Sequence, residues 1–113
     1  MIPFVGGVRA AFGRAIVRAI QRKKIAAIEE AGADEETLDI VYLKKTTGEM
    51  VERTIRPYEM KPHRHTGALV LYATDTLHGA GNIHSFLVNN IRKTDLEESR
   101  PFRPKWPVLF EKA

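Results

Sequence analysis

No cysteine occurs anywhere in the 113 residues. That excludes disulfides, thiolate metal sites and covalent catalysis by a thiol. No apolar run approaches the roughly 20 residues that a membrane span needs. Arg9, Arg14 and Arg18 interrupt the N-terminal apolar residues, whereas a secretory signal keeps about 7–15 unbroken. A cytoplasmic location is therefore the expectation. Catalytic signatures are missing too: there is no Gly-x-Ser-x-Gly elbow and no carboxylate cluster in an apolar setting. Gly79-Ala-Gly81 is too short to cradle a dinucleotide. His63 and His65, with His78 and His84, have no close acidic partner to complete a metal set. The chain is thus expected to be no enzyme and to need neither metal nor cofactor.

What is present is segregated charge. The net charge is only +4, yet Arg9, Arg14, Arg18, Arg22, Lys23 and Lys24 stand in residues 1–28 without one acid. Glu29, Glu30, Asp34, Glu35, Glu36 and Asp39 follow without one base. From Lys44 to Arg64, bases outnumber acids six to three. Such segregation attracts polyanions, phosphate backbones above all, or it forms a solvated basic face beside an acidic loop.

With 43% apolar and 28% charged residues, the length suits a single domain with one modest core. Val8, Phe12, Ile16, Ala19 and Ile20 recur at helical spacing, predicting an amphipathic helix over 8–22. Ile25 and Ile28 fall toward the arginine side of that helix. Either it bends near Lys23-Lys24, or a second short helix covers 24–31 and stops at Gly32. From Leu38 the period becomes two, with Leu38, Ile40 and Tyr42 on one face of a strand. Thr46-Thr47-Gly48-Glu49 supplies a glycine for a tight turn, and Met50 to Arg56 returns as a second strand that Pro57 ends. Lys61 to Gly67 reads as a loop, Ala68 to Thr74 as a central strand, Ile83 to Ile91 as a fourth and Arg92 to Leu96 as a fifth. The tail, Pro101 to Phe110, is too proline-rich for a helix. Its aromatics predict that it lies extended over the sheet or against a neighbour. The expected organisation is a helical segment at 1–31, a barrel at 38–97 and a tail at 98–113.

The order of Tyr42, the glycine turn, Arg53 and Arg56 ahead of Pro57, Phe86 and Ile91 resembles a WYL domain. The resemblance runs from Ala27-Ile28 to Arg103. It implies a mostly β fold with an N-terminal α-helix, a small five-stranded Sm-like or SH3-like antiparallel β-barrel. It also implies a regulatory module that binds nucleic acid or a small ligand. Where family members carry Trp-Tyr-Leu on the third strand, this chain has Ala68-Leu69-Val70. The family's Arg-x-Phe-Arg-Leu-Asp-Arg-Ile segment here reads His84-Ser-Phe-Leu-Val-Asn-Asn-Ile91, so His84, Leu87 and Asn90 replace arginines. The helix-turn-helix domain that usually precedes a WYL domain does not fit in the 37 residues before the first strand.

Nucleic-acid contacts are expected from Arg14, Arg18 and Arg22, which sit four apart on one helix face. Lys44, Lys45, Arg53, Arg56, Lys61 and Arg64 of the first hairpin and the following loop join them, as does His84. With Tyr42, Tyr58 and Tyr72 these would make a basic surface interleaved with stacking rings, unless the tyrosines serve the core. Arg53 and Arg56 lie three apart on a strand and must point to opposite faces. Binding of low sequence specificity is the leading expectation, with homo-oligomers possible through exposed strand edges. A structural assembly subunit and a small-anion sensor are the alternatives.

Overall fold

The computed structural model describes residues 19–76 and 81–111. A helix, α1, covers 19–33 of these, and five strands follow. They are β1 (Leu38–Leu43), β2 (Met50–Pro62), β3 (Leu69–Asp75), β4 (Ile83–Leu87) and β5 (Ile91–Asp95), with a 3₁₀ turn at Val88–Asn90. All pairings are antiparallel, in the order β4-β3-β2-β1-β5. The fold is mostly β with an N-terminal helix, as expected. β4 and β5 are the two edges and do not pair with each other, so the expected barrel closure is not found.

One core joins helix and sheet. Ile28 and Ala31 of α1 pack with Leu38, Ile40, Ile55, Leu71, Ala73, Phe86, Val88 and Ile91. Leu38 and Ile40 of β1 are buried one residue apart, the period-two signature of a half-covered strand. Each wholly buried aliphatic chain contributes about 1.5–3 kcal/mol over its exposed state.

Within the described residues α1 is continuous through Lys23-Lys24, so neither the bend nor the second helix is needed. Its core side is Lys24, Ile28 and Ala31. Ile20 lies within about 40° of that stripe yet is 53% exposed. The next residue, Gln21, donates its side-chain amide to Asn89 of the 3₁₀ turn. Gly32 does not end the helix. Residue 33 is still helical, and the stop is Glu35, which takes φ 54°. The Glu35 amide donates to the Gly32 carbonyl and the Glu36 amide to that of Ala31, a Schellman closure without glycine. Gly32 serves packing instead, since a Cβ there would overlap the Phe110 ring.

Pro57 does not end β2 either. The β1 pairing stops at Leu38↔Ile55, while β3 pairs with β2 from Ile55 to Pro62 through an irregularity between Pro57 and Glu59. Pro57 therefore sits past the last β1 partner, where a missing amide costs no ladder bond. The loop after β2 starts at His63 rather than Lys61. The two hairpins close alike: Gly48 donates to Lys44 and Lys44 to Glu49, as Gly67 donates to His63 and His63 to Ala68. Gly48 has the positive φ, 72°, that its turn requires. The continuous strand expected from Ile83 to Ile91 is broken by the 3₁₀ turn, and β5 begins one residue early.

The tail docks on its own chain. Phe102 donates to the Glu35 carbonyl, Leu109 to that of Tyr58, and the Lys105 amide to the Tyr58 hydroxyl. Phe102 and Trp106 flank the Tyr58 ring at centroid distances of 5.7 and 5.6 Å.

Lys24 is the one ammonium buried against the sheet among the described residues, its Nζ 2.9 Å from the Ile91 carbonyl. Burial, and then the charge of Arg92, holds its pKa below the ordinary lysine value. The unfolded chain therefore keeps this proton to higher pH than the folded one. Stability should rise with pH between the depressed folded pKa and about 10.4, with the gain complete above that value. Urea unfolding at about pH 8 and about pH 10 should show this rise in the parent chain and a flatter profile in Lys24→Met.

A candidate ligand-binding cleft between the first hairpin and β4

On the core side of the sheet, beyond the buried cluster, Tyr42, Lys44, Val51, Arg53, Asp75, His84, Ser85 and Phe86 line a cleft of about 220 Å³. Strand register explains the grouping. Tyr42 pairs with Val51, Ile55 with Asp75 and Leu71 with Phe86, so residues two apart on β1, β2, β3 and β4 converge on one face. Tyr42 meets Phe86 edge to face at 5.1 Å and gives the cleft an aromatic side.

Arg53 is held in place. Its Nε lies 3.1 Å from Asp75 Oδ2, and its Nη1 donates to the Glu52 carbonyl at 2.9 Å. The Asp75 side chain is 5% exposed and that of Arg53 19%. The carboxylate is thus the buried member, and the guanidinium reaches the cleft. Lys44 and His84 are exposed at its rim.

Three of the residues expected to bind nucleic acid, Lys44, Arg53 and His84, are thereby brought together. The others are not. Arg56 points to the opposite face from Arg53, as the strand parity requires, with its Nη1 buried against the sheet. Lys61 lies eight residues along β2 from Arg53, roughly 26 Å at strand rise. It pairs with Glu59 at 3.2 Å and sits over the Tyr72 ring at 5.4 Å. Arg64 stands in the second hairpin turn, at that same far end. Lys45 is exposed in the first turn and Arg22 on α1, while Arg14 and Arg18 lie outside the described residues.

Of the tyrosines, Tyr58 is 3% exposed and clamped by the tail, so it has no face to offer a base. Tyr42 and Tyr72 are half-buried. His63 Nδ1 accepts the amides of His65 and Thr66, which ties that ring to its own turn. His78 lies outside the described residues. Sequence reasoning missed Asp75, Ser85 and Val51. Asp75 had a signal, being the first charge after the apolar run of β3.

On the other side of β2, β1 and β5 a second depression of about 350 Å³ is lined by the charged residues Asp39, Glu52, Arg53, Lys93 and Asp95. Asp39 there accepts the Thr54 hydroxyl at 2.6 Å. Its mixed charge makes it a poorer seat for a polyanion.

The WYL domain model matches residues 15–96. The chain belongs to the WYL domain family. Among solved structures, this WYL chain is similar to proteasome accessory factor B/C (PafBC) of Arthrobacter aurescens, with a TM-score of 0.60 and 17% identity. The match covers 80% of this chain and 14% of that one, so it shows a shared fold over a small part of a much longer protein. No curated protein matches this WYL chain. The segment His84 to Ile91, where the family carries arginines, here forms β4, the 3₁₀ turn and the start of β5. No helix among the described residues is long and apolar enough to cross a membrane.

Proposed function

We propose that this WYL domain is a regulatory, non-catalytic binding module, cytoplasmic, whose Sm-like sheet holds a phosphate-bearing ligand, nucleic acid first, in the cleft of Lys44, Arg53 and His84. The observation that carries the reading is the convergence of these three side chains beside the Tyr42 and Phe86 rings. Cations fix phosphates, and a ring edge lets a base or sugar pack without sequence readout. Lys45, exposed in the first turn, and Arg22, exposed on α1, are the further phosphate contacts of this reading, while Arg56, Lys61 and Arg64 take no part in it. The limited volume favours a second reading, in which a small phosphate-bearing anion occupies the same cleft.

A salt titration with a short single-stranded oligonucleotide tests the first reading. Two cationic phosphate contacts in the cleft, from Lys44 and Arg53, predict a slope of log affinity on log salt near −1.4, from about −0.7 for each contact on single strands. Lys44→Ala, in an exposed turn, should keep the fold and reduce the slope by about 0.7. No binding at low salt would remove nucleic acid. Thermal stabilisation by nucleoside monophosphates or inorganic phosphate would then support the small anion.

A further inference from the structure

We infer that the free edge of β4 pairs with β4 of a second copy of this chain, forming a two-fold dimer through a continuous antiparallel sheet. Among the described residues β4 is an edge strand, with Ile83, His84 and Ser85 exposed, Leu87 half-buried and Phe86 buried against the core. The ladder fixes which backbone groups are unused. Thr76 donates to the Thr54 carbonyl, so alternate residues of β3, including Thr74, turn their amides toward β2. Ala73 and Leu71 then bond His84 and Phe86. Ile83, Ser85 and Leu87 are left with N–H and C=O directed away from β3.

The two edges of the sheet differ in protection. β5 carries Arg92, Lys93 and Asp95, the charges that keep an edge from pairing. β4 reads Ile-His-Ser-Phe-Leu, with no charged residue and no proline. Pairing β4 with β5 of another copy would set Arg92 and Lys93 beside a strand with no acid to answer them. Pairing β4 with itself is complementary at every position. A two-fold axis at Ser85 places Ser85 against Ser85, Ile83 against Leu87 of the second copy, and His84 against its Phe86. Small meets small, aliphatic meets aliphatic and ring meets ring, twice over. Because His84, Ser85 and Phe86 also line the cleft, the axis would set two clefts side by side on one sheet.

The mass of the chain in solution, measured by light scattering over a range of concentrations, is the test. The expected result is twice the monomer mass at high concentration and dissociation on dilution. Ser85→Pro should give monomer at every concentration with an unchanged far-UV spectrum. The amide it removes faces outward, so no bond to β3 is lost. Ile83→Lys, which would bring two lysines beside the apolar Leu87 pair, should do the same. Since the chain has no cysteine, Ser85→Cys offers an independent measurement. Mild oxidation should link it to a covalent dimer, whereas Thr47→Cys in the exposed turn should not link. A monomer at millimolar concentration, a ring of more than two copies, or a dimer that survives Ser85→Pro overturns the inference. Failure of oligonucleotide binding leaves it standing, since the pairing is made by the β4 backbone and needs neither Lys44 nor Arg53.

Discussion

Arg53→Met is expected to lower stability by about 3 kcal/mol, and Tm by roughly 10 °C, more than any loss from Asp75→Asn. The two members of the pair are not equally placed: the Asp75 side chain is 5% exposed and that of Arg53 19%. Removing the guanidinium takes a close cation from the deeper of the two charges, and a carboxylate held 5% exposed is costly to keep without it. Removing the carboxylate charge instead leaves the guanidinium its bond to the Glu52 carbonyl and access to the cleft. Both variants should therefore be destabilised, in that order, by urea unfolding. For an anionic ligand in the cleft they should diverge. Arg53→Met should weaken binding at temperatures where it remains folded. Asp75→Asn should tighten it, because the guanidinium loses the competing carboxylate and keeps its place on β2. Equal effects of both variants on binding would mean that Arg53 supports the strand pair and touches no ligand.

The strands were legible in the sequence because one face of each is buried, and period-two burial writes itself into residues such as Leu38, Ile40 and Tyr42. The hairpin at Gly48 was legible because positive φ selects glycine. Pro57 misled, because a proline stops a strand only where its amide is owed a partner. β2 changes partner at Ile55, and that exchange leaves no mark in local composition. The break of the expected 83–91 strand at Val88 was hidden for a similar reason. Val88 is wholly buried and apolar, as a strand residue would be, while the turn is set by how β4 hands the chain to β5. The helix phase failed differently. Lys24 faces the sheet, which a hydrophobicity pattern counts as solvent, although its long stem packs and its ammonium reaches a carbonyl.

For the candidate site, residue type was readable and proximity was not. Lys44, Arg53 and His84 belong to different strands or turns, and only the register of β1, β2, β3 and β4 brings them to one cleft. Arg56 and Lys61 look equivalent to Arg53 in a string of letters. Parity removes the first and strand length removes the second. Asp75 shows the other side of the problem: a carboxylate distant in sequence holds the cation that composition alone would leave free for a phosphate.

Gly32→Ala should destabilise the chain by about 1–3 kcal/mol, against the sign that helix propensity predicts. In a helix interior, alanine in place of glycine ordinarily gains about 1 kcal/mol. Here the added methyl would overlap the Phe110 ring, and Phe110 is the residue through which the tail reaches the core. The ring must move, and with it the end of the strap that Leu109 anchors to Tyr58. Phe110→Ala alone should cost about 2 kcal/mol, less than a fully buried phenylalanine because the ring is half-exposed. In that background the sign should flip: Gly32→Ala, relieved of the clash, should recover about 1 kcal/mol. The sole tryptophan, Trp106, lies on the tail against Tyr58, so its emission reports tail release separately from global unfolding. Gly32→Ala should expose Trp106 at denaturant concentrations where the far-UV signal of the sheet is still intact. If the substitution stabilises the parent chain, or if its effect is the same with and without the Phe110 ring, the glycine is not there to admit the tail.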